Sequence, residues 1–564
     1  RWRNEASRGL ILSMAFPFPW MGFPRLAWMA APNPLERVSG LLRAGKVLVD
    51  TGILRPVRPD QLIGMALAAV HWGLTPAAIA GINGVRFAND TAVVDEDGRT
   101  TFAELDRRTN ALANAWRRDG MTAEDAAGVL ARNHLGFVEA TVALSKLGAD
   151  TLYLNTGFAR PQLAEVLDRE GAKAIVHDAE FTGLVSKAAG DRRTYVADHL
   201  DDVIASAPTS APPGPGRTPR QVILTSGTTG TPKGANRGVP SSVEPAVALL
   251  SKIPLRIRST SLISAPMFHA WGLAHFTSGL ALAHTLVLQR RFDPEAALAV
   301  IERERVDTWI VIPVMLQRVM ELPDEVRRRY DTSSLRVVAS SGSNLPGELA
   351  THFMDAFGAV LYNLYGSTEV AWATIATPED LRAAPGTAGR PPRGTVVKLL
   401  DAKGDEVPEG QPGRIFVANG MMFEGYTGGG TKEVLDGLMS TGDTGRWDDD
   451  GRLFVEGRDD DMIVSGGENV FPREVEDLLD EHPDIADCAV VGVPDDEFGQ
   501  RLKAGVVLRS GRSITEDDVR EYVKQRLARY KVPRDVVFLD ELPRNSTGKI
   551  LRQELRTEGK GRVT

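Results

Sequence analysis

The apolar run Gln221–Thr225 leads straight into the ten residues 225–234, which read TSGTTGTPKG, and this junction constrains the chain more than any other stretch. Eight of those ten residues are Gly, Ser or Thr. Glycine lets a backbone approach a ligand closely and take positive φ. The hydroxyls of Thr225, Ser226, Thr228 and Thr229 can donate hydrogen bonds to phosphate oxygens, and Lys233 adds a mobile positive charge. Gly227 and Gly230 supply the freedom such a loop needs to wrap a polyphosphate. The loop is not a Walker P-loop, because Pro232 stands where that motif needs its second Gly and Lys233 is followed by Gly234 rather than Ser or Thr. A kinase-type G-x-G-x-x-G is absent as well.

Strand-like apolar runs alternate with helical periods on both sides of this loop: Ala127–Ala131, Ala174–His177, Gln221–Thr225, Trp309–Pro313 and Val337–Ser340. Alternation of this kind predicts an α/β body with largely parallel sheets flanked by helices. At 564 residues the chain is too long for one ordinary core, so at least two domains are expected. A formal net charge of −8 gives no basic balance for nucleic acid, which is not expected as a partner. One cysteine, Cys488, excludes an internal disulfide and fits a reducing, cytoplasmic setting. It sits in an apolar run and reads as a buried strand residue.

Between Arg258 and Arg290 there is no Asp, Glu, Lys or Arg. By length this segment could span a membrane. Its three histidines (His269, His275, His284), Pro266 and several hydroxyls favour a buried core segment instead. Residues 1–85 read as an N-terminal extension, largely helical, of unassigned role. The chain begins at Arg1, residues 16–24 are rich in proline and aromatics, and no clean small-residue cleavage site follows a compact apolar region, so a signal peptide is not expected. Peripheral membrane contact through residues 1–85 stays open, as does a homodimer.

Four further motifs occur downstream. Tyr365-Gly-Ser-Thr-Glu369 places a carboxylate beside a hydroxyl, a donor pair that suits Mg²⁺. Ser341-Gly-Ser-Asn-Leu-Pro346 follows a strand-like run. Thr441-Gly-Asp443 and Gly457-Arg458 supply a carboxylate and a guanidinium able to hold ribose hydroxyls or phosphate. Pro543-Arg-Asn-Ser-Thr-Gly-Lys549 is a loop that can present a lysine. Taken singly, each also reads as an ordinary turn or a solvated charge.

Together and in this order, these motifs resemble the adenylate-forming superfamily of acyl-CoA synthetases, luciferases and peptide-synthetase adenylation domains, over residues 90 to 555. The resemblance implies a large N-terminal adenylation domain (86–457), a hinge (458–461, with Asp460 at the hinge position) and a small mobile α+β C-terminal domain (462–564). It implies that Thr225, Ser226, Gly227, Thr228, Thr229, Gly230 and Lys233 hold ATP phosphates. Gly342, Ser343 and Asn344 fall on the adenine side, although the family commonly has small apolar residues where Asn344 stands. Tyr365 is expected against adenine with Gly366 beside it, Thr368 and Glu369 at phosphate and Mg²⁺, and Asp443 and Arg458 at the ribose.

Lys549 matches the adenylation lysine, and His269, in Pro266-Met-Phe-His269-Ala-Trp-Gly272, matches a histidine near the acyl carboxylate. A lone histidine in an apolar run is more often a hydrogen-bonded core residue. Gly272, Ala274, Gly279 and Ala281 fit either room for an apolar tail or close helix packing. Ser465-Gly-Gly-Glu-Asn469 resembles the CoA-side loop, which assigns Gly466, Gly467 and Glu468 to CoA. The implied activity is an ATP-dependent acyl-CoA ligase acting through acyl-AMP on a medium- or long-chain fatty acid. A fatty acyl-AMP ligase loading a carrier protein and a non-catalytic acyl or nucleotide sensor are the alternatives.

Overall fold

The computed structural model describes residues 45–53, 56–73, 75–225, 233–236, 244–427, 429–458, 463–465, 468–470, 472–495, 499–527, 531–545 and 548–557. Ser226, Gly227, Thr228, Thr229, Gly230, Asp460, Gly466 and Gly467 therefore lie outside the described residues.

Three sheets build the large N-terminal part. One runs Gly425–Tyr426, Lys233–Asn236, Gln221–Thr225, Asp150–Tyr153, Ala126–Leu130, Ala172–His177, Arg193–Val196, with parallel pairing from Gln221–Thr225 through to Arg193–Val196. The second is eight-stranded and parallel except at its two edges, where Thr374–Ala376 and Gly98–Thr101 pair antiparallel. Its central strands include Thr260–Ile263, Thr308–Val311, Val337–Ser340 and Leu361–Tyr365. Between the sheets lies the helix Leu135–Leu147, buried on every face, which is why its sequence lacks a polar stripe. Lys146 on that helix is fully buried and is held by Asp106 at 2.7 Å and Asn110 at 2.6 Å. A third, antiparallel sheet contains Leu438–Trp447 and Leu453–Arg458.

The smaller C-terminal part is α+β. The antiparallel pair Ile485–Asp495 and Gly499–Leu508 is joined in parallel by Asp535–Leu539 and covered by the helices Pro472–Asp480 and Glu516–Lys524. Cys488 is buried in its strand, with its thiol directed at Glu476 O (3.4 Å) and Asp480 Oδ1 (3.3 Å). Burial pushes that thiol well above its ordinary pKa.

The charge-free segment after Arg258 folds as strand Thr260–Ile263, helix Ala270–Ala281 and strand Thr285–Leu288, all part of the main core. No helix among the described residues is long and apolar enough to cross a membrane. Pro313, expected to close a strand, instead opens the helix Pro313–Met320, where its missing N–H costs nothing. The helix Pro76–Arg86 begins inside the span expected as an extension and ends one residue beyond it; it packs into the core, and Asn83 Nδ2 donates to Leu280 O at 2.6 Å. The preceding helix Pro59–Trp72 leaves Ile63, Leu67 and Val70 exposed.

Candidate active site

A cleft of about 1470 Å³ lies where the C-terminal ends of several core strands meet the small C-terminal part. Ligands of open α/β sheets bind at such strand ends. Lys233, His269, Gly342, Ser343, Asn344, Tyr365, Gly366, Thr368, Glu369, Asp443, Arg458 and Lys549 all line it. Residues more than 300 positions apart in sequence are thus brought to one surface.

Tyr365 ends the strand Leu361–Tyr365 and the chain turns at Gly366. A Cβ at Gly366 would fall 2.3 Å from Ala371 O and 2.6 Å from Trp372 Cα, so the turn admits no side chain. The Tyr365 hydroxyl donates to Asp443 Oδ2 at 2.6 Å. Asp443 pairs in register with Arg458 on the neighbouring strand, and Arg458 Nη1 stands 4.0 Å from Asp443 Oδ1. Burial raises the Asp443 carboxyl, and the Tyr365 hydrogen bond and the charges of Arg458, Lys549 and Lys432 oppose that rise. Burial, with the facing Asp443 charge, also holds the Tyr365 phenol well above its ordinary value, so it stays a donor.

Glu369 is buried and accepts from Tyr426 Oη at 2.8 Å. Lys233 Nζ lies 5.4 Å from the Tyr426 ring centroid. Among the described residues no cluster of three His, Cys, Asp or Glu could cage a metal. A single buried carboxylate beside Thr368 does fit Mg²⁺, which keeps waters and substrate phosphates as its other ligands.

The small C-terminal part reaches into the cleft at two points. Arg473, on the helix Pro472–Asp480, donates to Asn344 Oδ1. Asn344 thus lines the cleft with its carbonyl engaged by the second domain. Lys549 follows Gly548 in a turn closed by Asn545 N to Lys549 O (2.9 Å), with Asn545 Oδ1 accepting from Lys549 N (2.9 Å). Gly548 has φ +78°, and a Cβ there would lie 2.7 Å from Val314 Cγ1. The turn therefore needs glycine twice over: for its backbone angle and for its seat on the N-terminal part.

At the other end of the cleft stands the helix Ala270–Ala281, with His269 at its N-terminal boundary. Burial lowers the His269 pKa to about 4, so its ring is neutral near pH 7. The small residues of this helix divide by role. Gly272 and Gly279 are close-packing positions, since Cβ atoms there would meet Pro266 O at 2.3 Å and Leu286 Cδ2 at 2.7 Å. Ala281 is fully buried, whereas Ala274 opens onto the cleft. Of the remaining expected residues, Thr225 closes its strand and Glu468 lies in the strand Glu468–Val470. Sequence reasoning missed Tyr426 and Arg473, whose partners are far away in the chain, and Lys432, whose charge acts on Asp443.

Residues 83–427 match the family model described as AMP-binding enzyme, and residues 474–549 match the AMP-binding enzyme C-terminal domain. The chain belongs to the AMP-binding enzyme family. It is 36% identical over 471 residues to a feruloyl-CoA synthase of Amycolatopsis, covering 83% of this chain and 95% of that one. It is 29% identical over 476 residues to a long-chain-fatty-acid–CoA ligase of Mycobacterium tuberculosis, covering 82% and 93%. Among solved structures, the anthranilate CoA ligase AuaEII in complex with anthranoyl-AMP superposes with a TM-score of 0.76 at 27% identity, covering 86% of this chain and 96% of that one. This AMP-binding enzyme is accordingly an AMP-forming acid–thiol ligase of the adenylate-forming superfamily, with ATP and CoA as its expected co-substrates.

Proposed function

We propose that the cleft activates a carboxylic acid with an apolar body and passes it to CoA. The observation that carries this reading is the meeting of Lys549, Asp443, Arg458 and Glu369 in one cleft with an apolar compartment beside them. In the first half-reaction the acid's carboxylate oxygen attacks the α-phosphorus of ATP. A new O–P bond forms, the bond to the bridging oxygen breaks, and pyrophosphate leaves. Lys549 stabilises the charge that gathers on phosphate and acyl oxygens. Asp443 holds the ribose hydroxyls, with Tyr365 keeping its carboxylate oriented and Arg458 donating beside it. Glu369 and Thr368 would hold Mg²⁺, which would neutralise the polyphosphate. In the second half-reaction the CoA thiol attacks the acyl-AMP carbonyl and AMP leaves. That step calls for rotation about Asp460, withdrawing Lys549 and bringing Gly466, Gly467 and Glu468 to the site.

Two acyl classes suit an apolar compartment. One is the medium- or long-chain fatty acid. The other is an aryl acid, favoured by Trp271, whose ring lines the cleft 4.2 Å from His275 in an edge arrangement. Relatives of this chain are named for both classes. The test is pyrophosphate release and thioester formation with ATP, Mg²⁺ and a panel of acids, with and without CoA. CoA-dependent thioester from one class supports the reading. Acyl-AMP that accumulates and ignores CoA would reassign the acceptor to a carrier protein, and an absence of turnover with every acid would overturn the ligase reading.

A further inference from the structure

The cleft-facing stripe of the helix Ala270–Ala281 carries Trp271, His275 and Ser278, spaced at i, i+4 and i+7. Four polar side chains of this helix line the cleft, and they divide into two kinds. Trp271 Nε1 donates to Val311 O at 3.0 Å, and Thr277 Oγ1 donates to Leu273 O at 2.7 Å. His275 and Ser278 have no hydrogen-bond partner among the described residues. His275 is only 5% exposed.

His284 provides the internal control. It lies in the same charge-free segment and is equally buried, but both its nitrogens are satisfied: Ser261 Oγ donates to Nδ1 at 2.7 Å and Nε2 donates to Arg256 O at 2.8 Å. A buried imidazole in this protein is thus hydrogen-bonded when its role is structural. The His275 nitrogens are not among the fully enclosed polar atoms that lack a partner, so they look onto the cleft, where a ligand group would take the place of solvent. The cleft that His275 lines also has apolar walls, Leu249, Leu250 and Leu282 among them, and the Trp271 ring packs edge-on against His275.

We propose that His275, assisted by Ser278, recognises a hydroxyl group on the far end of the acyl substrate. This rests on the ligase reading above and names the substrate class within it: an apolar carboxylic acid that carries a distal hydroxyl. The helix sets the distance. His275 lies six residues beyond His269, which places it about 9 Å further along the helix axis. A hydroxyl both donates and accepts, as does a neutral imidazole with one N–H and one bare nitrogen. Burial lowers the His275 pKa to about 3, so the ring stays neutral across the working pH range. A plain alkyl or aryl end would leave both His275 and Ser278 unpaired on binding.

The experiment compares matched acids on the full chain: para-hydroxycinnamic against cinnamic acid, and omega-hydroxyoctanoic against octanoic acid. The readout is kcat/KM for acyl-CoA formation. The wild type is expected to favour the hydroxylated member of at least one pair by about 10- to 100-fold. His275→Leu should bring that ratio to within about threefold while the KM for ATP stays unchanged. His275→Gln, which keeps a donor and an acceptor, should retain most of the preference, and Ser278→Ala should lose a smaller part. A wild type indifferent to the hydroxyl in both pairs would overturn the inference, as would an unchanged preference in His275→Leu. Should His275→Leu fail to fold, the wild-type ratios and the Gln and Ala variants decide alone. Turnover without preference sinks this inference and spares the ligase reading. No turnover with any acid sinks both.

Discussion

At the end of the cleft proposed for the nucleotide, several charged and phenolic groups already have protein partners: Tyr365 donates to Asp443, Tyr426 donates to Glu369, and Arg458 stands across from Asp443. At the end proposed for the acid, His275 and Ser278 face the cleft with no hydrogen-bond partner among the described residues. The contrast matches what each end is proposed to bind. ATP is common to every turnover, so its site gains by being held in place before the ligand arrives. The acid is where members of the family differ, and an open polar pair in an apolar wall leaves discrimination to the ligand.

If this contrast is right, changes at the nucleotide end slow every acid alike, and changes at the acyl end reorder the acids. The largest effect is expected for Lys549→Ala. Adenylation measured by pyrophosphate release should fall by about 10²–10³, equally for all acids, while thioester formation from supplied acyl-AMP is little changed. A loss that differs tenfold between acids would break the comparison. Asp443→Asn and Tyr365→Phe should each raise the KM for ATP by about tenfold, since both remove part of one hydrogen-bonded unit, and the double variant should cost less than the sum. Trp271→Ala should shift preference several-fold toward bulkier acids with the KM for ATP unmoved, read from kcat/KM over the same panel.

The smallest effect concerns pH. The folded His275 value of about 3 lies below the ordinary 6.5, so the unfolded chain binds the proton first as pH falls. Relative to His275→Gln, wild-type stability should be level above pH 6.5 and should decline below it by at most about 1.4 kcal/mol per unit. Chemical denaturation of the two proteins at several pH values checks the sign. A parallel pair of curves would mean that His275 is not buried as described.

The fold class was legible because it rests on local pattern. Runs such as Val337–Ser340 and Ala174–His177 carry their strand character in their own residues. Part of the cleft's lining was legible for a similar reason, as Tyr365–Glu369, Thr441–Asp443 and Pro543–Lys549 are short motifs whose chemistry is visible in place. What escaped is pairing across distance. Nothing near Glu369 announces Tyr426 as its donor, and nothing near Asn344 announces Arg473. His275 and His284 are indistinguishable in sequence, because both stand in one charge-free run. Only the packing shows that one has both nitrogens satisfied and the other neither among the described residues. Gly272 and Gly279 likewise fitted two readings until the approach of Pro266 and Leu286 decided for close packing.

Cys488 has a practical consequence. It is the chain's one thiol, it is buried, and its ionisation is suppressed. Maleimide and iodoacetamide chemistry need a thiolate at the surface, so the native protein should be nearly silent to both. A pair of cysteines introduced on exposed positions of the two domains would then be the sites that take up a donor–acceptor dye pair, with no background to remove. Distances read from such a pair, turnover by turnover, would show whether Lys549 leaves the cleft as proposed and, if it does, time that withdrawal against the release of pyrophosphate.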